Sequence, residues 1–289
     1  MLITAPAKIN LTLDITGRRA DGYHLLDTVM QTVSLCDEIE LSLTGNGDIT
    51  LFLQNTDLQP DAKNTAYRAA EVFFRETGLS NPGIAITVTK QIPMQAGMGG
   101  GSADAAGVLV GLNALFDTHL SVQELCRIGL FVGADVPFCI FGGTARATGV
   151  GEVLTSLSSM PNCTILIAKP SVGVSTAAAY NAVDAHPFGS GISSDLMAAA
   201  LGAQDIAAVG RHIYNAFERA LCLTETNHIC EVARSCGSFG CQMTGSGSAV
   251  FALFPSDEAA QSCRKQLESE GLFVSLCRPV STGAVVVKR

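Results

Sequence analysis

The chain has 289 residues, 47% of them hydrophobic and 15% charged, which supplies ample material for a core and excludes a largely disordered protein. A formal net charge of −8 argues against nucleic acid or an anionic membrane as partner, although a small anionic ligand needs only local positive potential. No apolar run approaches the ~18 residues of a membrane span, the first residues carry no secretory pattern, and the ten cysteines include no C-x-x-C pair. Reduced thiols and a cytoplasmic location are the expectation.

In chain order, alternation and β-branched content predict strands at 7–15, 28–35, 38–42, 49–53 and 84–89, broken by turn signals such as Gly45-Asn46-Gly47-Asp48. Asn64 is placed to cap a helix that runs to Thr77 and stops at Gly78. An apolar helix is expected from Ala105 to Phe116. Ser121 and Glu124 then form a capping box for a helix ending near Gly133. Asp135 falls in a turn, with short strands expected at 138–141 and 144–147. Beyond a boundary near 155, a strand at 164–168 and helices at 176–185, 194–201, 206–221 and 226–236 are predicted. Strands at 240–243 and 249–254, a helix at 256–270 and a strand at 273–277 follow. The order β, α, β, β, α, β in this half fits a ferredoxin-like split unit.

The densest signal lies between strand 84–89 and the apolar helix. It reads Pro93-Met94-Gln95-Ala96-Gly97-Met98-Gly99-Gly100-Gly101-Ser102-Ala103, with four glycines in five positions. Glycine admits positive φ and close approach of the backbone to a ligand. Set before a helix, whose first N–H groups are free and whose N-terminal pole is positive, such a loop is suited to phosphate. There is no Walker pattern. The dinucleotide fingerprint is matched only in part, at Gly97-x-Gly99-x-x-Ser102, and the third glycine is missing. A plain tight turn is the remaining alternative.

Other residues have two readings from sequence alone. Lys8 lies among apolar neighbours in a strand pattern and fits a surface lysine on an edge strand; Asp135 fits a turn or cap residue. Tyr23 and His24 follow the turn signal Asp21-Gly22, and Tyr180 sits in an Ala-rich helix that would suit core packing. Thr244-Gly245-Ser246-Gly247 reads as a hairpin turn. No histidine has ligand spacing with cysteines or carboxylates, so a zinc site is not expected.

The segment from Pro93 to Ser102 resembles the second motif of the small-molecule kinases named for galactokinase, homoserine kinase, mevalonate kinase and phosphomevalonate kinase. Met98 stands where that pattern has leucine, and Ala103 where many relatives have a second serine. Pro6-Ala7-Lys8-Ile9-Asn10-Leu11, Asp21-Gly22-Tyr23-His24 and Gly133-Ala134-Asp135-Val136-Pro137 are similar to the branch whose acceptor alcohol carries a cytidine diphosphate. Thr244 to Gly247 resembles the family's third motif.

The resemblance implies an α+β fold in two domains. One is a ribosomal-protein-S5-domain-2-like ATP-binding half at 1–155, to which a final strand at 284–289 returns; the other is a ferredoxin-like half at 156–283. It implies ATP and Mg²⁺, with Lys8 and Asp135 as the catalytic pair and residues 93–103 on the nucleotide. It implies Tyr23, His24 and Tyr180 on the cytidine, and Asn10 on the base or on the polyol hydroxyls. A homoserine or mevalonate kinase, a regulator without turnover and a nicotinamide-dependent oxidoreductase are the competing readings. Aromatic groups for a base speak against the first, and the presence of both Lys8 and Asp135 against the second.

Overall fold

Apolar residues from Leu2 onward build a first strand longer than the pattern predicts: β1 spans Leu2–Arg18 and pairs antiparallel with β2, His24–Leu43. In this computed structural model, which describes residues 1–189 and 194–289, the strands expected at 28–35 and 38–42 are parts of that single β2. The register of the pair shifts between Pro6 and Lys8 and again between Asn10 and Thr12. Irregularities of this kind re-aim side chains and are common beside functional sites. They bracket Lys8 and Asn10.

β3 (Ile49–Gln54) and β4 (Ile84–Thr89) pair in parallel and flank the helix α1, Thr65–Thr77. Asn64 caps α1 by accepting from the Ala66 N–H at 2.9 Å, and Gly78 ends it at φ 70°. Next comes α2, Gly100–Leu115, built mostly of small and apolar residues and largely buried, Asp104 included. It lies close on the sheet because its glycines face strand side chains. A Cβ on Gly107 would sit 2.2 Å from Ile39 Cδ1, and one on Gly111 2.5 Å from Leu41 Cδ1. α3 (Val122–Leu130) opens with the expected capping box.

Val136–Phe141 forms a helix, α4, where a strand was expected at 138–141. Six apolar residues have too little periodicity to separate strand from helix, and Pro137 falls in the first turn, where a missing N–H costs nothing. The expected strand at 144–147 is present as β5, Thr144–Gly149, followed by β6, Val153–Ser156.

The remaining elements are β7 (Thr164–Lys169), α5 (Thr176–Val183), α6 (Ser194–Gly202), α7 (Ile206–His212), β8 (Tyr214–Asn215), α8 (Ala216–Leu221) and α9 (Thr224–Ser235). β9 (Gly240–Met243), β10 (Val250–Phe254), α10 (Asp257–Ser269), β11 (Phe273–Cys277) and β12 (Val285–Lys288) complete the chain. The single helix expected at 206–221 is interrupted by β8, whose two residues pair with β1 and let Asn215 cap α8.

Two sheets result. The larger runs β12-β1-β2-β4-β3, with β5 on β2, β6 on β5 and β8 on β1; the smaller runs β11-β7-β10-β9 and is antiparallel throughout. β12 returns to the first sheet and lies antiparallel to the start of β1. On the way, the Ala284 N–H donates to Cys139 O at 2.9 Å, and Gly142 leaves no room for a Cβ, which would lie 1.8 Å from Gly283 N. The segment before β12 therefore clamps α4. One apolar core runs from α1 and α2 through the large sheet to Ile165, Ile167 and Phe251 of the small one. All ten cysteines are free thiols.

Candidate active site

A cavity of about 990 Å³ opens where the glycine loop, the middle and end of β1, the start of β2, α5 and the β9–β10 turn meet. Its wall around Gly97 is backbone against backbone. A Cβ on Gly97 would lie 2.1 Å from Thr244 O, and one on Gly245 2.4 Å from Gly97 O. The Ser248 and Ala249 N–H groups donate to Gln95 O and Ala96 O, both at 3.2 Å, so the turn from the second sheet is stitched to the loop of the first. Gly97 and Gly99 both take positive φ, 71° and 70°, and Gly99 is the N-cap of α2 with no side chain over the free N–H groups. That leaves a bare, positive helix end facing the cavity.

Lys8 lies across this loop. Its backbone N–H donates to Met98 O at 3.0 Å, while Nζ donates to Asn10 Oδ1 at 2.8 Å and Gly97 O at 3.0 Å. Asp135 Oδ2 stands 3.5 Å from Nζ. The lysine side chain is 5% exposed and the aspartate 42%, so the ammonium is held in the wall while the carboxylate meets the cavity. Asp135 occupies the N-cap position of α4, yet its side chain makes no capping bond, which keeps both oxygens off the helix. Asn10 is 2% exposed and donates from Nδ2 to Thr28 Oγ1 at 2.9 Å, and its backbone N–H donates to Thr244 Oγ1 at 3.0 Å. Asn10 thus orients Lys8 and ties β1 to the second sheet. Any Cβ on Gly99 would crowd Lys8 Cγ at 3.2 Å, so glycine there makes space for the lysine stem.

Beneath the loop is a buried charge cluster drawn from three separate segments of the chain. Lys90 Nζ donates to Asp37 Oδ2 and, at 2.7 Å, to Asp104 Oδ2. Asp37 Oδ1 in turn accepts from the Gln91 and Ile92 N–H groups at 2.6 and 2.8 Å. The cluster pins β2, the entrance to the loop and the first turns of α2 together. Burial pushes the Asp104 carboxyl up to about 7 against the pull of Lys90, with Asp37 adding to the rise, and Asp104 Oδ1 is buried without a hydrogen-bond partner among the described residues. A lone carboxylate in a run of small apolar helix residues was the available signal, since such a group must find a cation when buried.

The other end of the cavity is aromatic. Tyr23 is 63% exposed at the tip of the β1–β2 connection. The His24 ring stacks on Tyr180, with centroids 4.5 Å apart and planes at 22°, and Phe217 meets Tyr180 edge-on at 4.9 Å. Burial drives the Tyr180 phenol up to about 12. His24 Nε2 lies 2.6 Å from Asp184 Oδ1, and Arg18 Nη1 donates to Asp184 Oδ2 at 3.2 Å. The His24 bond holds the Asp184 carboxyl below the usual carboxylate range.

Lys8, Asn10, Tyr23, His24, Asp135, Tyr180 and residues 93–102 all line this one cavity. Ala103 does not. It is fully buried, on the side of α2 turned to the core. His24 stacks on one face of Tyr180. Asp37, Lys90, Asp104 and Asp184 were not found from sequence.

The GHMP kinases N terminal domain family matches residues 64–143, and the GHMP kinases C terminal family matches residues 197–271, which makes the chain a GHMP kinase. The 4-diphosphocytidyl-2-C-methyl-D-erythritol kinase of Geobacillus thermodenitrificans is 44% identical over 266 residues, 90% of each chain. That of Clostridium beijerinckii is 40% identical and covers 97% of this chain and 100% of its own. A solved 4-(cytidine 5'-diphospho)-2C-methyl-D-erythritol kinase superposes with a TM-score of 0.81 at 33% identity, over 96% of this chain and 99% of that one. The chain belongs to the 4-diphosphocytidyl-2-C-methyl-D-erythritol kinase family. The homoserine kinase of Cytophaga hutchinsonii, with a TM-score of 0.80 at 21% identity over 99% of this chain and 97% of its own, shares the fold.

Proposed function

We infer that this kinase transfers the terminal phosphoryl group of ATP to the 2-hydroxyl of 4-diphosphocytidyl-2-C-methyl-D-erythritol, giving the 2-phosphate and ADP in non-mevalonate isoprenoid precursor biosynthesis. The observation that carries the reading is the Lys8–Asp135 pair, 3.5 Å apart, in the same cavity as a bare helix N-terminus and an aromatic cluster. Phosphoryl transfer asks mainly for positioning and for charge stabilisation of the transferring group. The glycine loop, residues 93–102, supplies N–H groups to the phosphates. Asp135 accepts the proton of the acceptor hydroxyl, and Lys8 stabilises the developing alkoxide and the transferring phosphoryl oxygens. Asn10 holds Lys8 in place and borders the polyol. Tyr23, His24 and Tyr180 take the cytidine.

Mg²⁺, when bound, neutralises phosphate charge. Such an ion would be held mainly by phosphate oxygens and water, beside the N–H-lined glycine loop that takes the phosphates. We assign residues 1–155 and the returning strand at 284–289 to an S5-like ATP-binding domain, and 156–283 to a ferredoxin-like domain; the β11-β7-β10-β9 order supports the second assignment. Among the described residues no helix is long and apolar enough to cross a membrane.

A coupled ADP-release assay tests the reading. Release is expected with the cytidine diphosphate acceptor and only background with mevalonate or homoserine. Turnover of either small acid at a comparable kcat/KM would overturn it.

A further inference from the structure

Three elements converge on one carboxylate at the aromatic end. Asp184 follows α5 directly, and its two oxygens are divided between β1 and β2: Oδ2 accepts from Arg18 Nη1 at 3.2 Å, and Oδ1 meets His24 Nε2 at 2.6 Å. Arg18 also donates from Nε to Gly22 O at 3.0 Å, so the same carboxylate braces both flanks of the turn that displays Tyr23. The His24 side chain is 9% exposed and rests on Tyr180, which fixes the plane of its ring.

A carboxylate can only accept. At 2.6 Å from Asp184 Oδ1, His24 Nε2 must therefore carry the proton. In a neutral imidazole the other nitrogen is then a bare acceptor, and its state is set by the bond the first one makes. Nδ1 has no hydrogen-bond partner among the described residues, and His24 lines the cavity. An acceptor offered to a pyrimidine is a discriminating group. Cytosine presents an amino donor at position 4, whereas a 4-oxo pyrimidine presents an acceptor that would face the Nδ1 lone pair. Sites built to hydrogen-bond a particular group reject the analogue that cannot complete the bond far more strongly than apolar pockets reject an extra methylene.

We propose that Asp184 is a positioning residue for acceptor specificity: by locking His24 as the Nε2–H tautomer and bracing the 21–24 turn through Arg18, it makes the aromatic subsite select a 4-amino pyrimidine over a 4-oxo one. The proposal rests on the cytidine reading given above and names the group that enforces it.

The test uses the full-length enzyme with the cytidine diphosphate acceptor and its uridine counterpart. Wild type should favour the cytidine acceptor strongly in kcat/KM. Asp184→Asn can still accept a hydrogen bond but can also turn its amide to donate, so it no longer dictates the tautomer. It should raise the cytidine-acceptor KM about 10-fold, leave the ATP KM within about twofold, and lower the cytidine-over-uridine ratio about 10-fold. A KM increase equal for both acceptors, with the ratio unchanged, assigns Asp184 a merely structural role and overturns the proposal. A wild type that uses neither acceptor overturns the functional reading as well, which separates the two failures. Nitrogen-15 spectra of histidine-labelled wild type provide a check free of any variant. A neutral Nε2–H signal for His24 supports the lock, and an Nδ1–H or doubly protonated ring refutes it.

Discussion

Around Gly97 the cavity wall is main chain packed on main chain, whereas around Tyr23 it consists of side chains reaching in from β1, β2 and α5. The first construction tolerates almost no change, because the loop, the β9–β10 turn and Lys8 occupy each other's van der Waals limits. The second can be edited one group at a time. Phosphates are the same in every nucleotide triphosphate and can be met by N–H groups, while a particular base has to be told from others by donors and acceptors in fixed places. The contrast extends to titration. Asp104, under the loop, is pushed up to about 7 by burial, and Asp184, at the aromatic end, is held low by its histidine.

The contrast can be broken in graded ways. Asp135→Asn should have the largest effect, lowering kcat by about 10²-fold or more while ADP still binds; near wild-type turnover would remove the assignment of Asp135 as base. Gly97→Ala comes next, since its Cβ would stand 2.1 Å from Thr244 O on a residue at φ 71°. Strain of about 2 kcal/mol should lower the melting midpoint by roughly 4–8 °C and weaken nucleotide binding, readable by calorimetry; an unchanged midpoint would mean the two loops can separate freely. Tyr23→Ala should leave the fold intact and raise the acceptor KM about 10-fold with little change for ATP, because stacking is worth ~1–3 kcal/mol per base. Equal effects on both substrates would place Tyr23 elsewhere in the cycle.

The smallest effect concerns pH. The Asp104 carboxyl has a folded value near 7 against an ordinary 3.8, so its contribution to stability is complete below 3.8 and is lost as pH rises through about 7. Thermal scans should therefore show the wild-type midpoint declining between about pH 4 and 7, and Asp104→Asn should decline less over the same window, by about 1–3 °C. A variant with the same slope would assign the decline to other groups.

Local chemistry made much of this molecule readable in advance. The ends of α1 and α3 follow from Asn64, Gly78 and the Ser121–Glu124 box, and the glycine loop follows from the crowding of residues that accept positive φ. The succession of elements along the second half, a strand, helices, two strands, a helix and a strand, was likewise visible in the alternation of patterns. What stayed hidden depends on distance along the chain. Asp37 and Lys90 are separated by 53 residues and His24 and Asp184 by 160, and no window of sequence joins such partners. The helix at Val136–Phe141 was missed for a different reason, namely a run too short and too uniformly apolar for its period to register. Resemblance supplied the pairing of Lys8 with Asp135, which spacing alone would have left as a surface lysine and a turn residue.

The strand at Val285–Lys288 links two parts of the molecule that lie far from it in sequence. It edges the β1 that carries Lys8, and the residues leading into it hold the helix that begins at Asp135. A single late segment thus closes the edge of the large sheet where β1 begins and also braces the helix that follows Asp135. Loss of that strand would uncover the backbone of Leu2–Thr4 and remove the bond that the Ala284 N–H gives to Cys139 O, so two walls of the cavity share one distant fastening.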